Sequence, residues 1–304
     1  MITAIIDVGS NTIRQMVYEY SNDNYRILFD RKTMAGLVHY VKKKRMNEDG
    51  IRLVCATLNE YLLMLRQSPV TLDSIHVIAT ASIRNIENTQ EVIEAIFEHT
   101  GLQVEVIEGE EEARLSYIGA AQSVHLEDGV LVDIGGGSTE IAVFQNKEIC
   151  FSESLSIGSL NMYERFVKKI IPAEEEREAI AAWVRYQLST LKVPDLGPLP
   201  ICGVGGTIRN AYKLKAKLNE DTDEKDILTT VQLRELLQRF KNHKKKHIGA
   251  ILLKAPDRIH TLIPGMIVLH EIANFFQSES VYISRNGIRE GFLYDRVIKG
   301  REKS

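Results

Sequence analysis

Residues 130–144 read VLVDIGGGSTEIAVF, and residues 4–18 read AIIDVGSNTIRQMVY. Each segment is an apolar stretch that ends in an aspartate, then a turn rich in small residues, then a second apolar stretch. Asp133 and Asp7 occupy the same place in the two copies, at a spacing of 133 − 7 = 126 residues. An internal repeat reveals an architecture built from related units. The sequence therefore predicts two related lobes, each opening with a strand–turn–strand motif.

The overall composition is that of a globular protein with room for two domains. The chain has 304 residues, of which 44% are hydrophobic and 26% charged. Its formal net charge of −3 does not suit a dedicated nucleic-acid binder, which is usually basic. We therefore expect no nucleic-acid partner.

Neither metal-binding cysteines nor a targeting segment is apparent in the sequence. The three cysteines lie far apart, without the spacing of metal ligands. There is no run of about 18 apolar residues, and the first residues already read as a strand. We expect a cytoplasmic protein that is not bound to a membrane.

Three segments have the composition of phosphate-binding turns. A turn of Gly, Ser and Thr after a buried strand leaves backbone N–H groups open to phosphate oxygens. Besides the two repeated turns, Gly203-Val-Gly205-Gly206-Thr207 follows a strand and opens a helix, where the helix dipole favours anions. The segment from Ala79 to Arg84 has a similar order, so Arg84 is expected near an anion at a strand end. Taken singly, each turn could serve packing alone, but the recurrence of the first two, each with an Asp at the same offset, favours phosphate binding.

Acidic residues follow two patterns. The run Glu108-Gly-Glu110-Glu111-Glu112 suits a first helical turn, where acids interact favourably with the helix dipole. Asp133 and Glu140 bracket the second Gly-rich turn. Carboxylates beside a phosphate cradle repel the ligand unless a cation bridges them, and Mg²⁺ suits one or two carboxylates plus phosphate oxygens.

Basic residues form local clusters at Lys42–Arg45, Lys213–Lys217 and Lys241–Lys246. Such clusters are usually solvated faces, but each could also meet a polyanion. The histidines form no recognisable pair of metal ligands. His243 and His247 are four residues apart, but within a lysine run they read as solvated.

The chain resembles the exopolyphosphatase/guanosine pentaphosphate phosphatase (Ppx/GppA) family. The resemblance runs from residue 2 to about residue 298 and rests on six motifs in order. They are Asp7–Arg14, Ala79–Arg84, Glu108–Arg114, Asp133–Glu140, Gly203–Thr207 and Gly287–Gly291.

The resemblance implies an α/β fold of two ribonuclease-H-like lobes of the actin-like ATPase (sugar kinase/Hsp70/actin) type around a central cleft. It places the N-terminal lobe at residues 1–122 and the C-terminal lobe at 123–288. A C-terminal helix at about 289–302 is expected to pack back on the first lobe. Longer relatives carry a further helical domain, so the chain looks like the short, two-domain form.

The resemblance also implies roles for individual residues. Glu112 is expected to be the catalytic base, with Arg84 beside the reacting phosphoryl group; Asp133 and Glu140 are expected to hold Mg²⁺ or another divalent cation. The expected phosphate-binding residues are Ser10, Asn11, Thr12, Arg14, Gly135, Gly136, Gly137, Ser138, Gly205, Gly206 and Thr207. A homodimer is plausible by family analogy. One departure is His260, where many relatives have an aspartate, and this bears on substrate preference or packing.

Several functions share these motifs. The leading hypothesis is an exopolyphosphatase that releases terminal orthophosphate from inorganic polyphosphate. The alternative is a guanosine pentaphosphate phosphohydrolase, which uses the same chemistry on a phosphorylated guanosine nucleotide. A kinase or other actin-like nucleotide-binding protein, or a non-catalytic sensor, is less compatible with a water base at Glu112.

Overall fold

The computed structural model describes residues 1–21, 24–66, 68–194, 196–219, 226–241 and 245–301. These residues fall into two compact units. The first comprises Met1–Glu112 and the described chain from Phe292 onward, and the second comprises Ala113–Gly291. Each unit has a hydrophobic core of its own.

The first unit is built on a sheet of five described strands in the order β3-β2-β1-β6-β7. Strands β1, β2 and β3 are antiparallel neighbours, and β1, β6 and β7 are parallel neighbours. A small separate hairpin consists of β4 and β5. The strands are β1 (Ile2–Val8), β2 (Thr12–Ser21), β3 (Asn24–Met34), β4 (Val41–Lys42), β5 (Arg45–Met46), β6 (Ile75–Ala79) and β7 (Val104–Val106).

The helices of the first unit begin and end at recognisable signals. They are α1 (Glu48–Leu65), α2 (Ala81–Arg84), α3 (Thr89–Thr100) and the start of α4 (Gly109–Ala121). The side chain of Asn47 caps α1 by accepting a hydrogen bond from the Gly50 amide, and Gly101, with φ 71°, ends α3 in the left-handed conformation. Apolar residues of α1 and α3 pack on one face of the sheet, including Val54, Leu58 and Ile96.

The second unit repeats this strand order and adds one strand. Its described strands lie in the order β10-β9-β8-β11-β13-β12. Strands β8, β9 and β10 are antiparallel neighbours, β8, β11 and β13 are parallel, and β12 is antiparallel to β13. The strands are β8 (Gly129–Ile134), β9 (Thr139–Gln145), β10 (Glu148–Leu155), β11 (Ile201–Val204), β12 (Ile227–Thr229) and β13 (Ser280–Ile283).

A buried helix forms the centre of the second unit. Helix α10 is buried over most of its length, including Ile263, Met266 and Leu269, because its residues from Leu262 to Leu269 are all apolar. The helices of this unit are α5 (Ser159–Phe166), α6 (Glu174–Ser189), α7 (Gly206–Asn219), α8 (Thr230–Arg239), α9 (Lys245–Lys254), α10 (Leu262–Phe275) and α11 (Ile288–Phe292).

The strand orders confirm the predicted α/β fold with two related lobes. In both units three antiparallel strands are followed by two parallel ones, and helices connect the parallel strands. Parallel strands need crossover connections of this kind. The repeated segments become β1–β2 in one unit and β8–β9 in the other.

The unit boundaries differ from those expected at 122/123 and 288/289; they fall at 112/113 and 291/292. Helix α4 begins in the first unit, but Ala113 and Ala120 pack among Leu131, Phe144 and Cys202 of the second. The sequence pattern identifies the helix but does not reveal which core its apolar face joins.

Some elements were not anticipated. The hairpin β4–β5 and strand β12 are too short for a periodic signal. The expected single terminal helix is divided into α11, a π-helical stretch at Leu293–Ile298, and α12 (Lys299–Arg301). In the part of the chain that the structure describes, no helix combines the length and the apolar character needed to span a membrane.

Candidate functional site

The first Gly-rich turn joins β1 to β2 and is closed by a hydrogen bond from the Gly9 amide to the Thr12 carbonyl, 3.0 Å long. The carbonyl of Asn11 accepts from the amides of Ala35 and Gly36, both at 3.0 Å, and that of Ser10 accepts from the Val38 amide. The carbonyl groups of Ser10 and Asn11 are therefore already hydrogen-bonded to amides of residues 35–38.

The second turn repeats the closing bond of the first. The Gly135 amide donates to the Ser138 carbonyl at 3.0 Å, and both residues lie 126 positions after their counterparts (135 − 9 and 138 − 12). The carbonyl groups of this turn face the start of α5: those of Gly135 and Gly136 accept from the amides of Ser159 and Leu160, each at 2.9 Å. The Gly137 carbonyl accepts from the Gly158 amide.

The two turns therefore leave their amide groups available. Among the described residues, the amides of Ser10, Asn11, Gly136 and Gly137 donate to no protein acceptor. Successive N–H groups of this kind form a concavity that binds anions. The carbonyl groups of the same turns, which would repel an anion, instead accept hydrogen bonds from other amides of the protein. The geometry suits phosphate at both turns.

The two carboxylates expected to hold a metal lie directly opposite each other. Asp133 at the end of β8 pairs with Glu140 of β9 in the strand register. Opposite residues in antiparallel strands have Cα atoms about 5 Å apart and side chains on one face, so both carboxylates can reach one ion. Ser116 of α4 donates to Asp133 Oδ2 at 2.9 Å, and Ser154 of β10 donates to Glu140 Oε1 at 2.8 Å. The oxygen donors fit Mg²⁺.

A larger metal cluster is absent from the described ranges, in which no three His, Cys, Asp or Glu side chains are gathered as ligands. The candidate donor set is therefore this pair of carboxylates. Sequence reasoning did not identify Ser116 or Ser154, because a single serine in a helix or a strand carries no local signal of its partner.

Arg14 occupies the position in the first unit that Glu140 occupies in the second (140 − 14 = 126). Its Cα partner across β1 and β2 is Asp7, but its guanidinium forms two hydrogen bonds with Asp30 of β3, one of them 2.7 Å long. These bonds occupy the Nε and Nη2 donors. The structure thus favours an ion pair between strands, rather than phosphate binding, as the role of Arg14.

Arg84 and Glu112, the two expected catalytic residues, are in direct contact. Arg84 Nη1 donates to Glu112 Oε2 at 2.6 Å and to the Ile107 carbonyl at 2.8 Å. Both side chains are about nine-tenths buried, at 9% and 10% exposed. A charge-assisted hydrogen bond of this length fixes the orientation of the carboxylate.

The third turn, Gly205–Thr207, lies beside Asp133. Gly205 has φ 94°, and a Cβ there would come within 2.9 Å of Asp133 Oδ1. The side chain of Thr207 is fully buried against Gly265 of α10, so only its backbone can meet a ligand. A Cβ on Gly206 would overlap the Arg258 guanidinium, which therefore lies over the start of α7. Two residues further on, His260 packs edge-on against Tyr163, with ring centroids 4.9 Å apart.

The sixth motif, Gly287–Gly291, also approaches Asp133. The buried carboxylate of Glu290 accepts from the Gly287 amide at 2.8 Å, and a Cβ on Gly287 would be 4.0 Å from Asp133 Oδ2. A Cβ on Gly291 would overlap the Leu115 carbonyl, so α11 and α4 are in backbone contact. The carboxyl ends of β8, β11 and β13 thus bring three motifs of the second unit together.

The three basic clusters noted in the sequence lie in different structural elements. Lys42–Arg45 forms the hairpin of β4 and β5, and Lys213–Lys217 lies on α7, where Lys215 is buried. In the third cluster, Lys241 pairs with Glu174 at 2.7 Å, whereas residues 242–244 lie outside the described part of the chain.

Two related α/β units, each opening with a strand–turn–strand motif whose turn amides are available, define a protein of the actin-like ATPase fold class. Within that class, the chain belongs to the Ppx/GppA phosphatase family, whose model matches residues 16–299. Family membership, predicted from six motifs, is confirmed. The family consists of phosphatases.

The chain is similar to solved and curated proteins along nearly its whole length. The Aquifex aeolicus member of the Ppx/GppA family is 28% identical, with a TM-score of 0.79, and the match covers 99% of this chain and 98% of that one. An exopolyphosphatase from Cytophaga hutchinsonii has a TM-score of 0.87 at 22% identity, covering 99% and 98% of the two chains, which shows the shared fold.

A guanosine-5'-triphosphate,3'-diphosphate pyrophosphatase of Aliivibrio fischeri is 25% identical over 97% of this chain. The match covers 59% of that relative. The chain spans about half the length of the curated relatives it matches, 46% and 59% of two of them.

Proposed function

We propose that this protein is an exopolyphosphatase, which releases terminal orthophosphate from inorganic polyphosphate. The observation that carries the proposal is the Glu112 carboxylate, nearly buried and oriented by Arg84. A base held in this way can position a water and accept its proton. A protein that only binds phosphate has no need of such a group.

In the proposed reaction a water oxygen attacks the terminal phosphorus atom while Glu112 takes the proton. The bond from that phosphorus to its bridging oxygen breaks. The products are orthophosphate and a chain shorter by one phosphate. In the unit that contains Glu112, amides of the Ser10–Asn11 turn would hold phosphoryl oxygens, as preorganised donors do in phosphoryl transfer. The Gly135–Ser138 turn offers amides of the same kind in the second unit.

We further propose Asp133 and Glu140 as the ligands of a divalent cation, Mg²⁺ by the chemistry of the donors. The cation, when bound, would offset negative charge on the phosphoryl oxygens. Ser116 and Ser154 would orient the carboxylates through the hydrogen bonds that they donate. Hydrogen bonds to ligating carboxylates are a usual part of metal sites.

The second candidate function is the hydrolysis of guanosine pentaphosphate to the tetraphosphate. The similarity to the Aliivibrio fischeri pyrophosphatase favours it, and the same base and turns would serve. Cytoplasmic location, expected from the sequence, and a homodimer, expected by family analogy, stay predictions.

The deciding experiment measures phosphate release with Mg²⁺ from polyphosphates of several lengths, guanosine pentaphosphate and ATP. We expect release from polyphosphate and a loss of about 10² to 10⁴ in kcat for Glu112→Gln. Glu110→Gln is the matched control, because Glu110 lies in the same helical turn but is exposed. Undiminished release by Glu112→Gln would remove Glu112 as the base. Absence of release from every polyphosphate would refute the leading function.

A further inference from the structure

The hairpin of β4 and β5 presents a cluster of exposed positive charges. Lys42, Lys43, Lys44 and Arg45 follow one another and are all exposed. Arg45 pairs with Glu91 at 2.9 Å. The three lysines form no ion pair with any described residue. The hairpin therefore carries three ammonium groups that are not neutralised by the described part of the protein.

The turn of this hairpin has an unusual sequence for its backbone. Lys43 and Lys44 have φ of 47° and 58°, both in the left-handed region. Two-residue hairpin turns with positive φ at both positions strongly favour Asn-Gly, because side chains are strained there. Strained residues cluster at functional sites, where the side chain has a use that offsets its cost.

One side of the hairpin is fastened to the segment that follows Arg84. The Asn88 carboxamide accepts from the Met46 amide at 2.9 Å and donates to the Met46 carbonyl at 3.0 Å. The Glu87 amide donates to the Lys44 carbonyl at 2.7 Å. Glu87 lies three residues after Arg84 in the chain. The lysine turn is thus hydrogen-bonded to the loop that follows Arg84.

The other side of the hairpin is connected to the first phosphate-binding turn. A 3₁₀ helix at Leu37–Tyr40 leads into β4. At its start, the Val38 amide donates to the Ser10 carbonyl and the Gly36 amide to the Asn11 carbonyl. The hairpin is therefore bonded directly to the loop that follows Arg84, and the segment that leads into it is bonded to the Ser10–Asn11 turn.

We propose that this lysine hairpin, residues 41–46, is a subsite for the chain of a linear polyphosphate, beyond the terminal group that is cleaved. The inference rests on the proposed function. Lysine presents a compact charge with three rotatable donors, which suits a flexible polyanion that has no fixed register. The subsite would add affinity for long chains and none for substrates too short to reach it.

The test variant is Lys43→Asn/Lys44→Gly, which removes two charges while installing the preferred turn sequence. Its urea unfolding midpoint should rise, which separates lost binding from lost folding. The matched control is Lys168→Gln/Lys169→Gln, which removes two exposed charges in the second unit. Both are made in the Glu112→Gln background, and binding of long-chain polyphosphate and of tripolyphosphate is measured at low salt.

For the hairpin variant we expect roughly tenfold weaker binding of long-chain polyphosphate, as for two lost exposed charge contacts, and unchanged binding of tripolyphosphate. In the active enzyme, KM for long chains should rise while kcat stays the same. Equal affinity of the hairpin and control variants for long chains would overturn the subsite, as would an equal loss for tripolyphosphate. If the wild type binds polyphosphate through the hairpin but releases no phosphate, the proposed hydrolysis fails and the subsite stands.

Discussion

One residue distinguishes the two copies of the repeated motif. Across β1 and β2, Asp7 faces Arg14, whereas across β8 and β9, Asp133 faces Glu140. Opposite charges on facing strands stabilise a sheet, and like charges disfavour it unless something compensates. With the charge reversed at this position, the first unit has an arginine that pairs with Asp30 of β3, and the second unit has a pair of candidate metal ligands.

At the residue scale, the three thiols should differ sharply in reactivity. Burial, reinforced by the nearby Asp133 charge, raises the pKa of Cys202 to about 12, and burial also raises the pKa of Cys55. Both stay protonated near neutral pH, and the thiolate is the reactive form. Cys150 is exposed.

We expect a thiol reagent at neutral pH to modify one cysteine rapidly in the folded protein and all three after unfolding in urea. Mass spectrometry of the labelled peptides identifies the site, and Cys150→Ser should abolish the rapid phase. Rapid labelling of Cys202 in the folded protein would contradict its burial.

At the scale of elements, one buried carboxylate joins two helices of the second unit. Glu271 of α10 accepts from Arg185 of α6 at 3.2 Å, and His270 Nδ1 lies 3.4 Å from its other oxygen. Burial acts to raise the pKa of Glu271, but the hydrogen bonds with His270 and Arg185 together outweigh it and lower the pKa. The ionised form is thus favoured in the folded state.

A lowered pKa makes the contribution of Glu271 to stability dependent on pH. It is fully present above the pKa of the unfolded chain, about 4.3, and is lost as the pH falls through the lower pKa of the folded state. We expect acidification from pH 7 to about pH 3, well below the pKa of the unfolded chain, to reduce the free energy of unfolding less in Glu271→Gln than in the wild type. Urea titrations at both pH values measure this, and equal losses would exclude the carboxylate as a source of acid sensitivity.

At the scale of the whole molecule, the first unit is assembled from both ends of the chain. Phe292 contacts His76, and Tyr294 contacts Tyr25, with ring centroids 5.5 and 5.7 Å apart. Arg296 donates to Glu111 at 2.7 Å. The first unit therefore depends on a segment that is separated in sequence from the rest of it by the entire second unit.

Phe292→Ala should destabilise the first unit by about 3 to 5 kcal/mol, because the ring is 2% exposed and its loss leaves a cavity. Labelling of Cys55 during a urea titration reports on that unit, and its midpoint should fall. Phe275→Ala, at a ring that is 40% exposed in the second unit, is the control. An unchanged midpoint for Cys55 labelling would show that the terminal segment contributes nothing to the first unit.

By itself, the sequence determined the repeated strand–turn–strand motif, the two related lobes and the residue types suited to phosphate. Local periodicity and small residues suffice for these features, because strands and turns form from neighbours in the chain. Only the tertiary structure decided which side chains meet. Arg84 and Glu112 are 28 residues apart, Ser116 reaches Asp133 from another element, and Arg14 is engaged by Asp30. The tertiary structure also decided that the carbonyl groups of Gly135 and Gly136 accept hydrogen bonds from the start of α5, while the amides of Gly136 and Gly137 donate to no acceptor among the described residues. Such pairings depend on how distant elements pack, and no local pattern in the chain records that packing.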